Sequence, residues 1–282
     1  MIENLFENVV VTSDGSVYHH TRTLANGEIY RRPSETHDQF EVFCLIDGEI
    51  DYVIEGRSYR GEPGDILLLG KEEVHQLKVN LSKDYERVVY HFDESLLPAS
   101  YWGKGEFFAH FETPTYLSRQ LKRSQLEKTN IPFLIEKTKQ VLREDNCQQE
   151  RLVALSILLI AEINKMNPNT AFSEPVQHTS EPIRKVLTYI SSHIGEKVSL
   201  IEAGNIAGLN PNYLSRLFKE ELGMSFSEYV ITKKMYQARR YMLFGDTAVE
   251  ASLKVGYTNY SSFFQAYRKT FHSAPSSSSK ER

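Results

Sequence analysis

The chain of 282 residues is 40% hydrophobic and 25% charged, with a formal net charge of −4. That length and balance suit two globular domains of ordinary size and exclude a disordered or fibrous protein. Helical membrane spans, a secretion signal and a disulfide framework are not expected: the longest oily stretch, Leu152 to Ile163, is too short for a bilayer, MIENLFENVVV has no basic start, and Cys44 and Cys147 are the only cysteines.

Both cysteines are expected as small apolar side chains in a reducing cytoplasm. The modest net charge hides a segregation. From Pro182 onward 14 Lys and Arg face 8 Asp and Glu, a net of +6, which leaves −10 on the residues before it. An acidic half joined to a basic half points to a polyanion met by the second half alone. Chance segregation is the alternative that charge leaves open.

Up to about Phe92 the chain reads as short strands. Phe40 to Ile46 is apolar and β-prone and ends at the turn signal Asp47-Gly48. Ile50 to Ile54 follows, then Glu55-Gly56. Pro63-Gly64-Asp65 introduces Ile66 to Leu69, and Val88 to Phe92 is a further strand. Turns at this spacing predict a small sandwich or barrel over residues 1–93.

A helical period takes over in residues 94–166. Phe133, Leu134, Ile135, Thr138, Val141 and Leu142 mark one helix; Leu152, Leu155, Ser156, Leu159, Ile160 and Ile163 mark a second. The second stripe is wide enough either to pack on the barrel or to pair two chains. Leu152, Leu155, Leu159 and Ile163 are the expected dimerisation seam. Residues 167–181 are polar, proline-bearing and without period, which predicts a linker.

Residues 182–282 read as helices only. Ile183, Val186, Leu187 and Ile190 share one face. Ser199 suits an N-cap for Leu200 to Ala207, with Glu202 three residues on. Gly208 ends that helix and Asn210-Pro211 opens the next, the layout of a helix-turn-helix. The second helix directs Leu214, Leu217, Phe218 and Leu222 inward and leaves Asn212, Ser215, Arg216 and Lys219 outside. The layout recurs: Asp246-Thr247 caps a helix ending at Gly256, Tyr257-Thr258-Asn259 is the turn, and Tyr260 to Phe271 presents Gln265, Arg268 and Lys269. Between the two units Ser225 to Leu243 forms one long helix of roughly 28 Å. That is close to the ~34 Å between successive major-groove faces of B-DNA.

These motifs resemble the AraC family of transcription regulators. The resemblance lies in Val198-Ser-Leu200, Ala207-Gly-Leu-Asn-Pro-Asn-Tyr-Leu-Ser-Arg-Leu-Phe-Lys219, Gly223-Met-Ser-Phe-Ser-Glu-Tyr229, Ala238-Arg-Arg240, Val255-Gly-Tyr257 and Phe263 to Pro275. It implies a multidomain chain: an all-β cupin-like sensor barrel with a helical dimerisation segment, then an all-α domain of two helix-turn-helix motifs joined by a long helix. Asn212, Ser215, Arg216 and Lys219 match the first reading helix, and Tyr260, Ser261, Ser262 and Gln265 the second. Arg216 suits guanine and Gln265 adenine, although either residue serves equally as a phosphate or solvent contact. The chain departs from the family pattern at Phe264, at Gln265 where Arg is usual, and at His272 where Gly is usual. Ala248, Ala251 and Ser252 replace more usual core residues.

Within the barrel, His37, Glu41 and His75 form a possible metal set, because two histidines and a carboxylate can hold iron. Glu35 stands where cupins usually carry a further His. Barrels of this family are usually effector pockets without metal, so no metal and no cofactor are expected. Glu35, His37, Glu41 and His75 are the expected effector residues, with a sugar or related metabolite heading the list. Tyr52, Tyr59 and Tyr90 stack on such a ligand or fill the core. The overall expectation is a cytoplasmic, homodimeric regulator that is no enzyme. It would bind promoter DNA and a small molecule, and RNA polymerase if it activates. The alternative is a metal-dependent cupin enzyme fused to a DNA-binding domain.

Overall fold

The computed structural model describes residues 4–13, 15–97, 107–112, 119–144, 148–167, 172–176 and 179–275. The chain forms two compact units, Met1–His178 and Thr179–Arg282.

The first unit has two antiparallel sheets. Strands β1 (Asn4–Val11), β2 (Val17–Thr23), β9 (Tyr85–Phe92), β4 (Phe40–Asp47), β7 (Ile66–Leu69), β10 (Gln120–Leu121) and β11 (Phe172–Ser173) form a seven-stranded sheet in that order. Strands β3 (Ile29–Arg31), β8 (His75–Asn80), β5 (Glu49–Ile54) and β6 (Arg57–Gly61) form the second. Because side chains alternate along a strand, the central strands β4, β7 and β9 carry apolar residues on both faces. Phe43, Leu45, Leu67, Leu69 and Val89 share a core with Ile50, Tyr52, Ile54, Tyr59, Leu77 and Val79 of the second sheet.

Phe40, Val42, Ile66, Leu68, Val88, Tyr90 and Phe92 face the opposite way. They pack with helices α3 (Ile131–Leu142) and α4 (Gln149–Asn164); the one-turn helices α1 (Ala109–Glu112) and α2 (Arg123–Leu126) belong to the same unit. This arrangement bears on the expected dimer seam. Leu152, Leu159 and Ile163 are at most 1% exposed, and Leu155 is half-buried against the same cluster. The stripe expected to pair two chains is therefore consumed inside this one. Burying each such side chain is worth about 1.5–3 kcal/mol, so Leu152, Leu159 and Ile163 are committed to the sheet. Tyr90 lies on this helix-facing side too, away from the space between the sheets.

The expected linker is also partly structured: Phe172–Ser173 pairs with Gln120–Leu121 and extends the large sheet. Cys44 is buried, and burial raises its thiol pKa, as expected of an inert small side chain. Cys147 lies outside the described residues.

The second unit is helical: α5 (Glu181–Ser192), α6 (Leu200–Ala207), α7 (Pro211–Leu222), α8 (Phe226–Leu243), α9 (Ala248–Lys254) and α10 (Tyr260–Phe271). Local chemistry sets each boundary. The Ser199 hydroxyl accepts from the Glu202 amide, and Gly208 closes α6 in the left-handed region at φ 67°. The Asn210 side chain caps α7, with Pro211 at the first position, where proline's missing N–H costs nothing. Full capping boxes open α8 (Ser225 with Glu228) and α9 (Thr247 with Glu250). Asn259 caps α10 by accepting from the Ser262 amide.

Candidate DNA interface and ligand site

Each helix-turn-helix pair hides its apolar face and leaves a polar one. On α7, Leu214, Phe218 and Leu222 are buried, and the Phe218 ring meets Phe226 at 5.5 Å and Tyr229 at 5.4 Å. Asn212, Arg216 and Lys219 are exposed, and Ser215 is half-buried. Leu217, expected inside, is only half-buried. Tyr213, which the sequence reading passed over, is 46% exposed, and the Arg216 guanidinium lies 5.3 Å from its ring centre. A cation over an aromatic face is held by the ring's negative potential, which biases Arg216 toward this side of the helix. On α10, Phe263 and Tyr267 are buried while Tyr260, Ser261, Ser262, Gln265, Arg268 and Lys269 are all exposed.

One buried cation ties these parts together. Lys234 on α8 is 6% exposed, and its amine donates to the carbonyl oxygens of Glu196 at 2.6 Å and Val255 at 2.5 Å. Met235, Ala238 and Met242 of α8 share a core with Ala251, Val255, Phe263 and Tyr267. Ala251 and Ser252 are buried there as small side chains, with the Ser252 hydroxyl donating to the Val249 carbonyl.

In the first unit, Glu41, Arg87 and His91 have the inward parity of Phe43 and Val89, so they enter the space between the sheets. Glu41 sits directly opposite His91 in the β4–β9 register. Its Oε2 lies 2.9 Å from His37 Nε2, 3.1 Å from His91 Nε2 and 3.9 Å from His75 Nε2; Oε1 accepts from the Tyr52 hydroxyl at 3.2 Å. Burial alone would raise the Glu41 pKa, but hydrogen bonds with His37 and His91 hold it well below the usual carboxylate range. Burial lowers the pKa of His75. For His37, burial is outweighed by Glu41 and the pKa rises.

Three of the four expected effector residues, His37, Glu41 and His75, meet around the Glu41 carboxylate, with Glu35 at its edge, but they do not come from one strand. Strand β4 begins only at Phe40, so Glu35, His37 and Glu41 do not share one strand. Instead Glu35 forms an isolated bridge with His75, and its carboxylate, half exposed, lies 3.8 Å from His75 Nε2. His91 is the member that sequence reasoning missed. Only the β4–β9 register brings it to Glu41, 50 residues away. Tyr59 fills the core, fully buried.

A cavity of about 150 Å³ in the same unit has Thr21, Thr23, Tyr30, Arg32, Tyr85 and Arg87 in its wall. None of Glu35, His37, Glu41 and His75 lines it. A wider groove of about 700 Å³ beside β5 and β6 is walled by charges that satisfy one another, Lys83 with Glu49 at 2.6 Å and Lys78 with Asp51 at 3.6 Å.

Comparison with known proteins assigns both units. Residues 18–153 match the family described as AraC-like ligand binding domain, and residues 204–281 the one described as Helix-turn-helix domain. The HTH-type transcriptional regulator YbfI of Bacillus subtilis (strain 168) is 22% identical over 237 residues, spanning 83% of this chain and 82% of YbfI. The chain belongs to the AraC family of transcription regulators. It is therefore a regulator and not an enzyme, and the cupin-enzyme alternative is set aside.

Among other relatives, Regulatory protein PocR of Salmonella typhimurium is 26% identical over 132 residues, 46% of this chain and 43% of PocR. A solved structure from Listeria innocua is 31% identical over 36% of this chain and 97% of its own, with a TM-score of 0.34. One residue of the second unit, His272, holds a backbone conformation that side chains rarely adopt. This residue closes α10 in the left-handed region at φ 55°, a conformation glycine adopts without strain. Among the described residues no helix is long and apolar enough to cross a membrane.

Proposed function

We propose that this AraC-family regulator binds promoter DNA through α7 and α10 and is modulated by a small polar metabolite held in its first unit. The observation that carries the DNA half is the pair of helix-turn-helix units with Arg216, Lys219, Arg268 and Lys269 all outward. The net +6 from Pro182 onward supplies the phosphate-binding charge. Asn212, Ser215, Tyr260, Ser261, Ser262 and Gln265 complete the contact set. Arg216, stacked on Tyr213, is the guanine reader, and Gln265 is the adenine reader.

The effector half rests on the cavity of about 150 Å³ with Arg32 and Arg87 in its wall. It is smaller than the ~300–1,000 Å³ of most ligand clefts, which favours a compact molecule such as a sugar or related metabolite. Arg87 is only 8% exposed, so a hydroxyl or carboxylate reaching it would gain a charge-assisted hydrogen bond away from bulk water. The setting is the cytoplasm, where the partners are duplex promoter DNA, a second copy of the chain and, for activation, RNA polymerase.

A thermal-shift screen of metabolites on the full-length protein tests the effector half, because a ligand of the folded state raises the melting temperature. The matching ligand should lose its effect in Arg87→Met. A uniform response in wild type and variant removes the pocket from the reading. For DNA, Arg216→Ala should cost about 1–3 kcal/mol and relax preference at one base position. Equal loss on every sequence would reassign Arg216 to phosphate. Full-length protein that binds no promoter fragment at low salt would end the proposal.

A further inference from the structure

Three imidazoles turn the same nitrogen toward one buried carboxylate. His37 Nδ1 lies 2.8 Å from the Gln39 carbonyl oxygen and His75 Nδ1 lies 2.9 Å from that of Glu73. A carbonyl oxygen only accepts, so both Nδ1 atoms carry hydrogen. In a neutral imidazole that leaves Nε2 as a bare lone pair, and both Nε2 atoms face Glu41 Oε2, at 2.9 and 3.9 Å. His91 Nε2 joins them at 3.1 Å. Lone pairs confronting a carboxylate repel it unless a proton or a metal cation stands between them, and one cation could serve all three imidazoles at once.

We propose that His37, Glu41 and His91, with His75 as a fourth donor, form a centre for one divalent transition-metal ion. One ligand atom from each of His37, Glu41 and His91 lies within 4.8 Å of the others. Metal–ligand bonds of about 2.0–2.2 Å place tetrahedral neighbours roughly 3.4 Å apart, so His37 and His91 need to move outward from Glu41 by no more than about 0.5 Å, while His75 must draw in by a similar amount. Imidazole and carboxylate together suit zinc, iron, cobalt or nickel rather than calcium or magnesium. The Nδ1–H bonds to backbone carbonyls are the outer contacts that orient metal-binding histidines and fix their tautomer. The ring centres of His37 and His75 are 4.9 Å apart and those of His37 and His91 are 4.7 Å apart, so the rings already crowd one point. Glu41, 3% exposed, and His75, 2% exposed, keep that point from bulk water. This centre includes His91 where the sequence reading considered His75, and it departs from the expectation that the barrel carries no metal. It stands independently of the effector reading, whose cavity wall contains none of these four residues.

Purified full-length protein, stripped with chelator, is titrated with Zn²⁺ and separately with Co²⁺. The expected result is one ion per chain, visible Co²⁺ absorption bands and a raised melting temperature for the metal-bound form. His37→Ala and His91→Ala should each weaken binding at least about ten-fold. Glu41→Gln, which keeps the shape and removes the charge, should do the same if either alanine variant fails to fold. His193→Ala with His272→Ala, which touches histidines of the second unit, should change nothing. No saturable binding below about 100 µM overturns the proposal, and so does binding that survives both His37→Ala and His91→Ala. In the first case protons, not a metal, lie between the imidazoles and Glu41.

Discussion

His272 and His20 are two residues whose surroundings work against them. His272 holds φ at 55° where a side chain carries a steric cost, so His272→Gly should stabilise the second unit by about 0.5–1 kcal/mol. A shift of the urea midpoint to higher denaturant checks this; an unchanged or lower midpoint would mean that the loss of chain entropy at glycine cancels the strain. His20 is fully buried, with Nε2 2.8 Å from Glu86 Oε1 and its ring centre 4.6 Å from that of Phe6. Burial lowers its pKa from 6.5, against the pull of Glu86. A histidine whose folded pKa is depressed resists the proton that the unfolded chain accepts. Its effect is therefore a loss of stability as pH falls below 6.5 and continues toward the lower folded value. His20→Gln should flatten the stability profile below pH 6.5, measured as the change in the first unit's melting temperature. An identical slope in wild type and variant would place the sensitivity elsewhere.

At the level of elements, helix ends decide much of the second unit. The Thr247 hydroxyl accepts from the Glu250 amide at 3.2 Å, and the Glu250 carboxylate accepts from the Thr247 amide at 2.8 Å. Thr247→Ala should cost about 1 kcal/mol, read as a lowered unfolding midpoint. Such caps were legible in the sequence because they are chemical and local: Ser199, Asn210 and Thr247 all stand at observed N-caps, whereas Ser225, read as the first residue of its helix, proves to be its cap. The strands were legible where both faces are apolar, as in β4 and β7. β5 was legible too, from its apolar alternation between turn signals, but β1 and β2 were not. β1 leaves Leu5, Val9 and Val11 about half exposed, and β2 reads VYHHTRT, so neither offers a clean alternation. The wide stripe on α4 was legible as a buried face but not as to what buries it, since apolar periodicity is the same against a sheet or a second chain. The barrel cluster was legible in His37, Glu41 and His75 because they lie near strand starts. His91 was not, because pairing register is a long-range property that no local window contains.

On the scale of the molecule, the acidic and basic halves of the sequence correspond to two separately packed units, and only the second is assigned to the polyanion. The Lys234 clamp is where that second unit gains its coherence. Lys234→Met would leave the Glu196 and Val255 carbonyls without their shared cation and should destabilise the unit by about 2–4 kcal/mol. Cooperative unfolding should split into two transitions; a single transition at the wild-type midpoint would deny the clamp this role. The same fixture constrains the nucleic acid. Helix α8 has 18 residues and so spans about 27 Å, short of the ~34 Å between neighbouring major-groove faces. With both reading units fastened to that strut, the mismatch cannot be absorbed by sliding one unit outward. Under the proposed DNA reading the shortfall is expected to fall on the duplex, so operators with flexible pyrimidine–purine steps between the two contact sites should bind more tightly, which competition between operators differing only in that spacer checks.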